Sequence, residues 1–380
     1  MKYFIALQQI LGAGNNQVIG ILNHFGSPKA VFEADDILRK ESGLFTKTEL
    51  KKLSSPDFDK AEKIITISAE NDIKIIPFGD KRYPYCLSVI ENPPLVIYVK
   101  GKLPDFENTP SVCIVGPRNV SEFGKKAAFS LSYRLARSGM IVISGGALGT
   151  DTYAHAGALK GDGITVLLMG CGILNGYLPE NSKLRQAVCD KGCLISEYPP
   201  EMPATRYSFP IRNRIMAALS LGTVVIEAGE KSGSLITARH AYEQGRDVFV
   251  VPGSPDKKEY AGSNSLLRDG AKPLLDASDI FNEYIVRFPD KINIERAFSE
   301  PILTTDFTQN EEKIEKIEKN FNETLSKEAK IVYNCLDKRK FLPEEIKNTG
   351  LSSGQILSAL TELEMEFLIK ALPGGMYERC

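Results

Sequence analysis

The chain has no surplus of positive charge: 47 Lys and Arg stand against 48 Asp and Glu over 380 residues, a net charge of -1. Proteins that coat nucleic acid through their whole surface are strongly basic, so that class is excluded, while a local basic groove is not. Long apolar runs are missing too. No stretch reaches the roughly 18 residues that span a bilayer, and Gln8 and Gln9 interrupt what would have to be the apolar part of a signal peptide. A cytoplasmic protein without a membrane partner is expected. Histidine is scarce, with only His24, His155 and His240, and none falls in a recognisable triad order. The seven cysteines lack framework spacing. The single close pair, Cys189 and Cys193, has no His nearby to help complete a tetrahedral zinc site, so neither a metal nor a disulfide scaffold is expected.

Length implies two or three domains, and composition changes along the chain support that division. Residues 1–110 carry 14 basic and 14 acidic side chains, residues 111–280 carry 19 and 16, and residues 281–380 carry 14 and 18. The first 66 residues read as a small helical domain, with Leu7, Ile10, Leu11, Val18, Ile19, Leu22 and Phe25 on helical faces interrupted by Gly12-Ala13-Gly14. A helix–hairpin–helix could aim N–H groups at phosphate there. The match is poor, and a packing domain is the preferred reading.

Residues 67–285 alternate short apolar runs with helical patterns, the mark of a doubly wound α/β sheet. Strands are predicted at 73–76, 96–99, 112–115, 141–144, 165–169, 193–196, 223–227 and 248–251, with helices near 121–138, 150–160, 180–190, 212–220 and 234–244. Residues 286–325 read as a charged linker that turns helical toward its end. Residues 326–380 give three helical patterns, at 327–336, 343–349 and 352–367, and a hairpin turning at Pro373-Gly374-Gly375, which together make a winged helix. Its recognition helix, at 352–367, carries Glu362, Glu364 and Glu366 and no Lys or Arg, so it is expected to pack or meet protein rather than read DNA.

In such sheets ligands gather beyond the carboxyl ends of the strands, and the unusual residues fall there. Gly116-Pro117-Arg118 precedes a helix capped by Ser121 and suits an anion. Ser144, Gly145 and Gly146 open a small-residue loop able to cradle phosphate with backbone amides, but the Lys of a P-loop is absent. Arg206, Phe209, Arg212, Asn213 and Arg214 combine cations for a strand backbone with an aromatic face for a base. The competing role for any one of these arginines is to pin the loop to Glu227 or Glu197. Ser232 and Ser234 are a nucleophile or, by preference, a cap and anion contact.

Taken in order, Gly116-x-Arg118, SGGALGTDTYAH (144–155), GCGILNGYLPENSKL (170–184), SEYPP (196–200), FPIRNRIMAALS (209–220), EAGEKSGSLITARHA (227–241), VPGS (251–254) and GSNSLLRDGA (262–271) closely resemble the DNA-processing protein A (Smf) family. The resemblance implies an extended Rossmann-like domain between a sterile-alpha-motif-like helical domain and a winged helix. It also implies a non-enzymatic homodimer that binds single-stranded DNA and helps load RecA recombinase in natural transformation, with no cofactor. Carried over by motif, Gly116, Arg118 and Arg206 would hold phosphate, Phe209 would meet a base, and Arg212, Asn213 and Arg214 would build or brace the pocket. Two positions depart from the family pattern: Pro117 replaces a small residue, and Thr150 stands where isoleucine is usual. The rival reading is a Rossmann-like binder of a nucleotide-derived small molecule, or a nucleoside-phosphate hydrolase with Glu227 as its acid/base. A third is a scaffold whose working end is the winged helix.

Overall fold

A computed structural model describes residues 1–300, 326–336, 340–346, 349–365, 369–372 and 376–379. The chain forms two compact units, Met1–Phe307 and Thr308–Cys380. Most of the expected linker, from residue 301, and the turn at Pro373-Gly374-Gly375 lie outside the described residues. Residues 286–300, expected to begin that linker, are packed instead. Helix Ile294–Phe298 buries Ala297, and Arg137 donates to the Arg296 carbonyl at 3.0 Å and to Glu300.

The first unit is built on nine strands: β1 (Ile73–Pro77), β2 (Val96–Gly101), β3 (Ser111–Val115), β4 (Ile141–Ser144), β5 (Thr165–Met169), β6 (Cys193–Ser196), β7 (Gly222–Val225), β8 (Asp247–Val250) and β9 (Lys272–Pro273). Their order is β1-β2-β6-β5-β4-β3-β7-β8-β9. Strands from β6 to β9 in that order run parallel, while β1 and β2 are antiparallel to their neighbours. The chain steps outward from β3 through β4 and β5 to β6, then returns to β7 on the other side of β3. Such a reversal, here at the carboxyl ends of β3 and β7, is the place where α/β sheets commonly bind ligands.

Alternation along the strands sets the layers. Val166 and Leu168 of β5 face a core completed by Ile215, Ala238 and Ala241 of helices Ser208–Ala218 and Ser234–Glu243. Leu167 and Met169 face the opposite way, onto Ile5, Leu7, Ile21 and Ile64 of the N-terminal helices. Those helices therefore share a core with the sheet. Among the described residues no helix is long and apolar enough to cross a membrane.

In the second unit, helix Lys327–Asn334, the short strand β10 (Lys340–Phe341), helix Ser353–Met365 and strands β11 (Ile369–Leu372) and β12 (Met376–Arg379) follow one another, the sheet running β10-β12-β11. Of the middle helix expected at 343–349, the described residues form a tight turn over Pro343–Glu345, and 347–348 lie outside the described residues. Phe341, just before it, is drawn into pairing with Tyr377. Glu362 accepts from the backbone N–H and hydroxyl of Ser326 at 2.8 and 2.7 Å, so this acidic residue of the long helix secures the start of the other helix.

Candidate functional site

Beneath the loops that follow β4 and β5 lies buried charge. Helix Ser208–Ala218 starts four residues earlier than the sequence suggested, which places Arg212 in its second turn, pointing into the protein. Its Nη1 donates to the carbonyls of Gly145, at 2.8 Å, and Leu168, and its Nε to Oδ1 of Asn213 at 3.3 Å. Asp151 lies beside it and accepts from the Ala147 amide at 3.1 Å. Burial pushes the Asp151 carboxyl up and the Arg212 guanidinium down, each opposed by the attraction of the other. A Cβ on Gly145 would sit 2.5 Å from Arg212 and 2.8 Å from Asp151, and one on Gly146 would meet Leu167 at 2.7 Å. These glycines make room for groups beneath the loop. Ser144 turns inward as well, its hydroxyl donating to the Ile114 carbonyl at 2.7 Å. The expected phosphate cradle thus spends its hydroxyl and the Ala147 amide internally.

Arg214 takes the competing role foreseen for one of the arginines. It is 2% exposed, and its Nη2 donates to Oε1 of the equally buried Glu197 at 2.8 Å. Its Nε and Nη1 donate to the carbonyls of Asn92 and Ile211, both at 3.2 Å. The same Glu197 oxygen accepts from the Gly14 amide at 3.2 Å. The glycine turn of the N-terminal domain therefore aims its N–H at a carboxylate of the protein, not at phosphate. Gln8 completes the joint, donating to the Glu197 carbonyl and accepting from the Val96 amide, each at 2.5 Å. No sequence pattern marked Gln8 for this bridge.

A second anion expected from outside is also supplied from within. Ser121 caps helix Glu122–Arg137, accepting from the Gly124 amide at 3.1 Å. Glu227, two residues past β7, takes the Ser121 amide at 3.1 Å, the Ser121 hydroxyl, and the Tyr260 hydroxyl at 3.0 Å. The helix N-terminus beside Arg118 is thereby occupied by Glu227. Ser232 and Ser234 hydrogen-bond to each other, Oγ to Oγ, at 2.7 Å, and Asn213 reaches the Gly233 carbonyl at 3.5 Å.

The rim is different in character. Arg118 and Arg206 are exposed, and Phe209 is half-buried. The Phe209 ring covers Gly170, where a Cβ would come within 2.6 Å of it, and lies 5.2 Å from the Tyr177 ring. Arg118 Cζ is 5.8 Å from the Phe209 centroid, and Arg206 Cζ is 4.7 Å from that of the exposed Tyr207. Tyr177 was not singled out in the sequence. The cavity among Gly145, Gly146, Gly170, Tyr177, Arg185 and Phe209 measures about 20 Å³. That is room for about one water.

The Arg118 loop is held from below by the next one. A Cβ on Gly116 would collide with Thr150 at 2.4 Å, while the Thr150 amide and hydroxyl both donate to the Pro117 carbonyl, at 3.2 and 3.1 Å. Pro117 and Thr150, the two departures from the family pattern, are thus partners. Gly149 has a φ of +75°, and a Cβ there would lie 2.0 Å from the Arg118 carbonyl oxygen. Gly149→Ala should therefore displace the Arg118 loop and cost roughly 1–3 kcal/mol of stability, read as a lowered urea midpoint. An unchanged midpoint would mean that the two loops are not in contact.

Comparison with known proteins bears on this arrangement. Residues 74–285 match the family DNA recombination-mediator protein A. The chain is 38% identical to DNA processing protein DprA of Bacillus subtilis over 226 residues, which cover 60% of this chain and 76% of that one. It is 30% identical to protein Smf of Synechocystis over 99% of this chain and 98% of its relative. Among solved structures, DNA processing protein A of Streptococcus pneumoniae superposes with a TM-score of 0.65 at 30% identity, covering 74% of this chain and 98% of that one. DNA processing protein A of Helicobacter pylori, described in its single-stranded DNA binding mode, gives 0.51 at 28% identity over 57% and 96%.

Proposed function

The chain belongs to the DNA recombination-mediator protein A family, and from that membership we propose that it holds single-stranded DNA across the carboxyl ends of its parallel strands, as a recombination mediator in natural transformation and not as an enzyme. The observation that carries the reading is the rim beyond the carboxyl ends of β3 to β5: exposed Arg118 lies 5.8 Å from the centre of the half-buried Phe209 ring, and exposed Arg206 stands three residues before that ring in the chain. Cations spaced about an aromatic face hold a strand by backbone charge and by stacking, without regard to sequence. Arg212 and Arg214 brace this surface from inside. Loading of RecA recombinase and a homodimeric state are proposed on the family resemblance alone.

What speaks against the hydrolase reading is the state of Glu227, whose carboxylate is engaged by Ser121 and Tyr260. A cavity of about 20 Å³ also falls far short of the several hundred that enclose a nucleotide-sized ligand.

Gel-shift titration of oligo-dT against the equivalent duplex over a range of salt tests the proposal. Single strands are expected to bind more tightly, and Arg118→Ala and Arg206→Ala should each weaken binding and reduce the slope of log K against log salt by about 0.7. Phe209→Leu keeps an apolar cover over Gly170 but removes the stacking face. It should cost roughly 1–3 kcal/mol of binding with the slope unchanged. Equal affinity for duplex, or unaltered slopes in both arginine variants, would refute the reading.

A further inference from the structure

The loop that leaves β5 carries one aromatic side chain, Tyr177, between Asn175 and Pro179. Oδ1 of Asn175 accepts from the Tyr177 amide at 3.0 Å, the turn that an asparagine makes with the backbone two residues on. Nη1 of Arg185, in helix Ser182–Lys191, donates to the carbonyls of Tyr177 and Leu178 at 3.0 and 2.9 Å. Fully buried Asn181 donates its side-chain amide to the Gly146 carbonyl at 3.0 Å and so ties this loop to the one after β4. Leu178 is held at a φ of +51°, although the residue before a proline is normally extended. A non-glycine residue keeps that conformation only where its surroundings impose it. The backbone on both sides of Tyr177 is therefore fixed.

That fixed backbone places the tyrosine ring beside Phe209, with centres 5.2 Å apart and planes at 45°. Both rings are half-buried, and both border the small cavity next to Gly145 and Gly146. Rings at this separation touch each other, so no base enters between them, and each can meet a base only from its solvent side. A site that holds a strand without reading its sequence gives successive bases aromatic surfaces and gives the backbone cations. Phe209 alone serves one base. Tyr177 adds a second aromatic surface directly beside it, and an apolar ring with a hydroxyl at its tip suits a half-wet position. The ring also packs against the core that the N-terminal helices share with the sheet, so its test must separate contact with a base from support of the fold.

Resting on the strand-binding reading above, we propose that Tyr177 is a second base-contacting residue, which takes the base next to the one on Phe209. Binding of oligo-dT and of an abasic oligodeoxynucleotide of the same length to the full chain tests it. Tyr177→Leu should weaken oligo-dT about tenfold and leave the abasic strand, which has only backbone to offer, bound as by the parent. The salt slope should not change, because no charge is removed. Tyr177→Phe keeps the ring and should restore the parent affinity. The chain contains no tryptophan, so Tyr177→Trp installs a single reporter, whose fluorescence oligo-dT should quench saturably and the abasic strand should not. Unchanged oligo-dT affinity in Tyr177→Leu, equal losses for both oligonucleotides, or an unquenched tryptophan would each overturn the contact and leave the strand reading standing. Failure of the parent itself to bind oligo-dT would remove both.

Discussion

Arg214→Met is expected to lower the unfolding free energy of the first unit by about 3–5 kcal/mol, read from urea denaturation of the full chain. The size follows from what is left behind. Arg214 and Glu197 are 2% and 3% exposed and lie 2.8 Å apart. Methionine fills most of the space but strands a carboxylate out of water, and stranding one partner of a buried pair costs far more than the pair contributes. The carbonyls of Asn92 and Ile211 lose their donors in the same step. Adding Glu197→Gln to Arg214→Met removes the stranded charge, and the double variant should regain at least half of the loss. The Gly14 amide and the turn it belongs to are anchored at this carboxylate, so the damage should reach the docking of the N-terminal helices. The salt slope for oligo-dT should not change, since the guanidinium faces no solvent. A single variant within about 1 kcal/mol of the parent would mean that the pair is hydrated.

That expectation rests on a distinction the sequence conceals. Arg206, Arg212 and Arg214 lie within nine residues and carry the same charge, and in a loop all three would reach solvent. The helix expected near 212–220 begins only after Pro210, at the end of the cluster. A proline in the first turn, however, forfeits only an N–H that has no helical partner there, so the helix begins at Ser208 and carries Arg212 and Arg214 inward toward the sheet. Arg206 stays outside because it precedes the helix. The strands were legible for a simpler reason: each buried strand is a short apolar run bounded by glycine or polar residues. Strands β9 and β10 were missed, each only two residues long, and β9 ends in Pro273. The antiparallel pairing of β1 and β2 leaves no such trace, because the apolar alternation of a strand is the same in either direction. Nor could composition reveal that Glu227 and Glu197 supply the anions expected from a ligand. Local spacing marks a place suited to an anion without saying which one fills it.

The second large effect is one of pH, and it comes from His155. The side chain is fully buried in helix Thr150–Lys160, with Nδ1 2.8 Å from Oγ1 of Thr165. The Thr165 hydroxyl donates its one proton to the Val142 carbonyl at 2.9 Å, so the imidazole must be the donor to Thr165. Its Nε2 is left as a buried lone pair with no partner among the described residues. Protonation there would place a charge and an unpaired N–H in the core. Burial, helped by the nearby Arg212 cation, lowers the His155 pKa from 6.5 to about 3. Between those values the unfolded chain binds a proton that the folded chain refuses. The contribution to stability is therefore full above about pH 6.5 and is lost as the pH falls through the window, by roughly 3–5 kcal/mol in all. Asp151 acts with the opposite sign, because burial raises its pKa above 3.8 and its contribution weakens as the pH rises through that range. His155→Gln separates the two: its amide can still donate to Thr165 but does not titrate. Relative to the parent, the variant should lose roughly 3 kcal/mol less between pH 7 and pH 4, measured by urea denaturation at each pH. Parallel stability curves for the two proteins would show that His155 takes up its proton in the folded state.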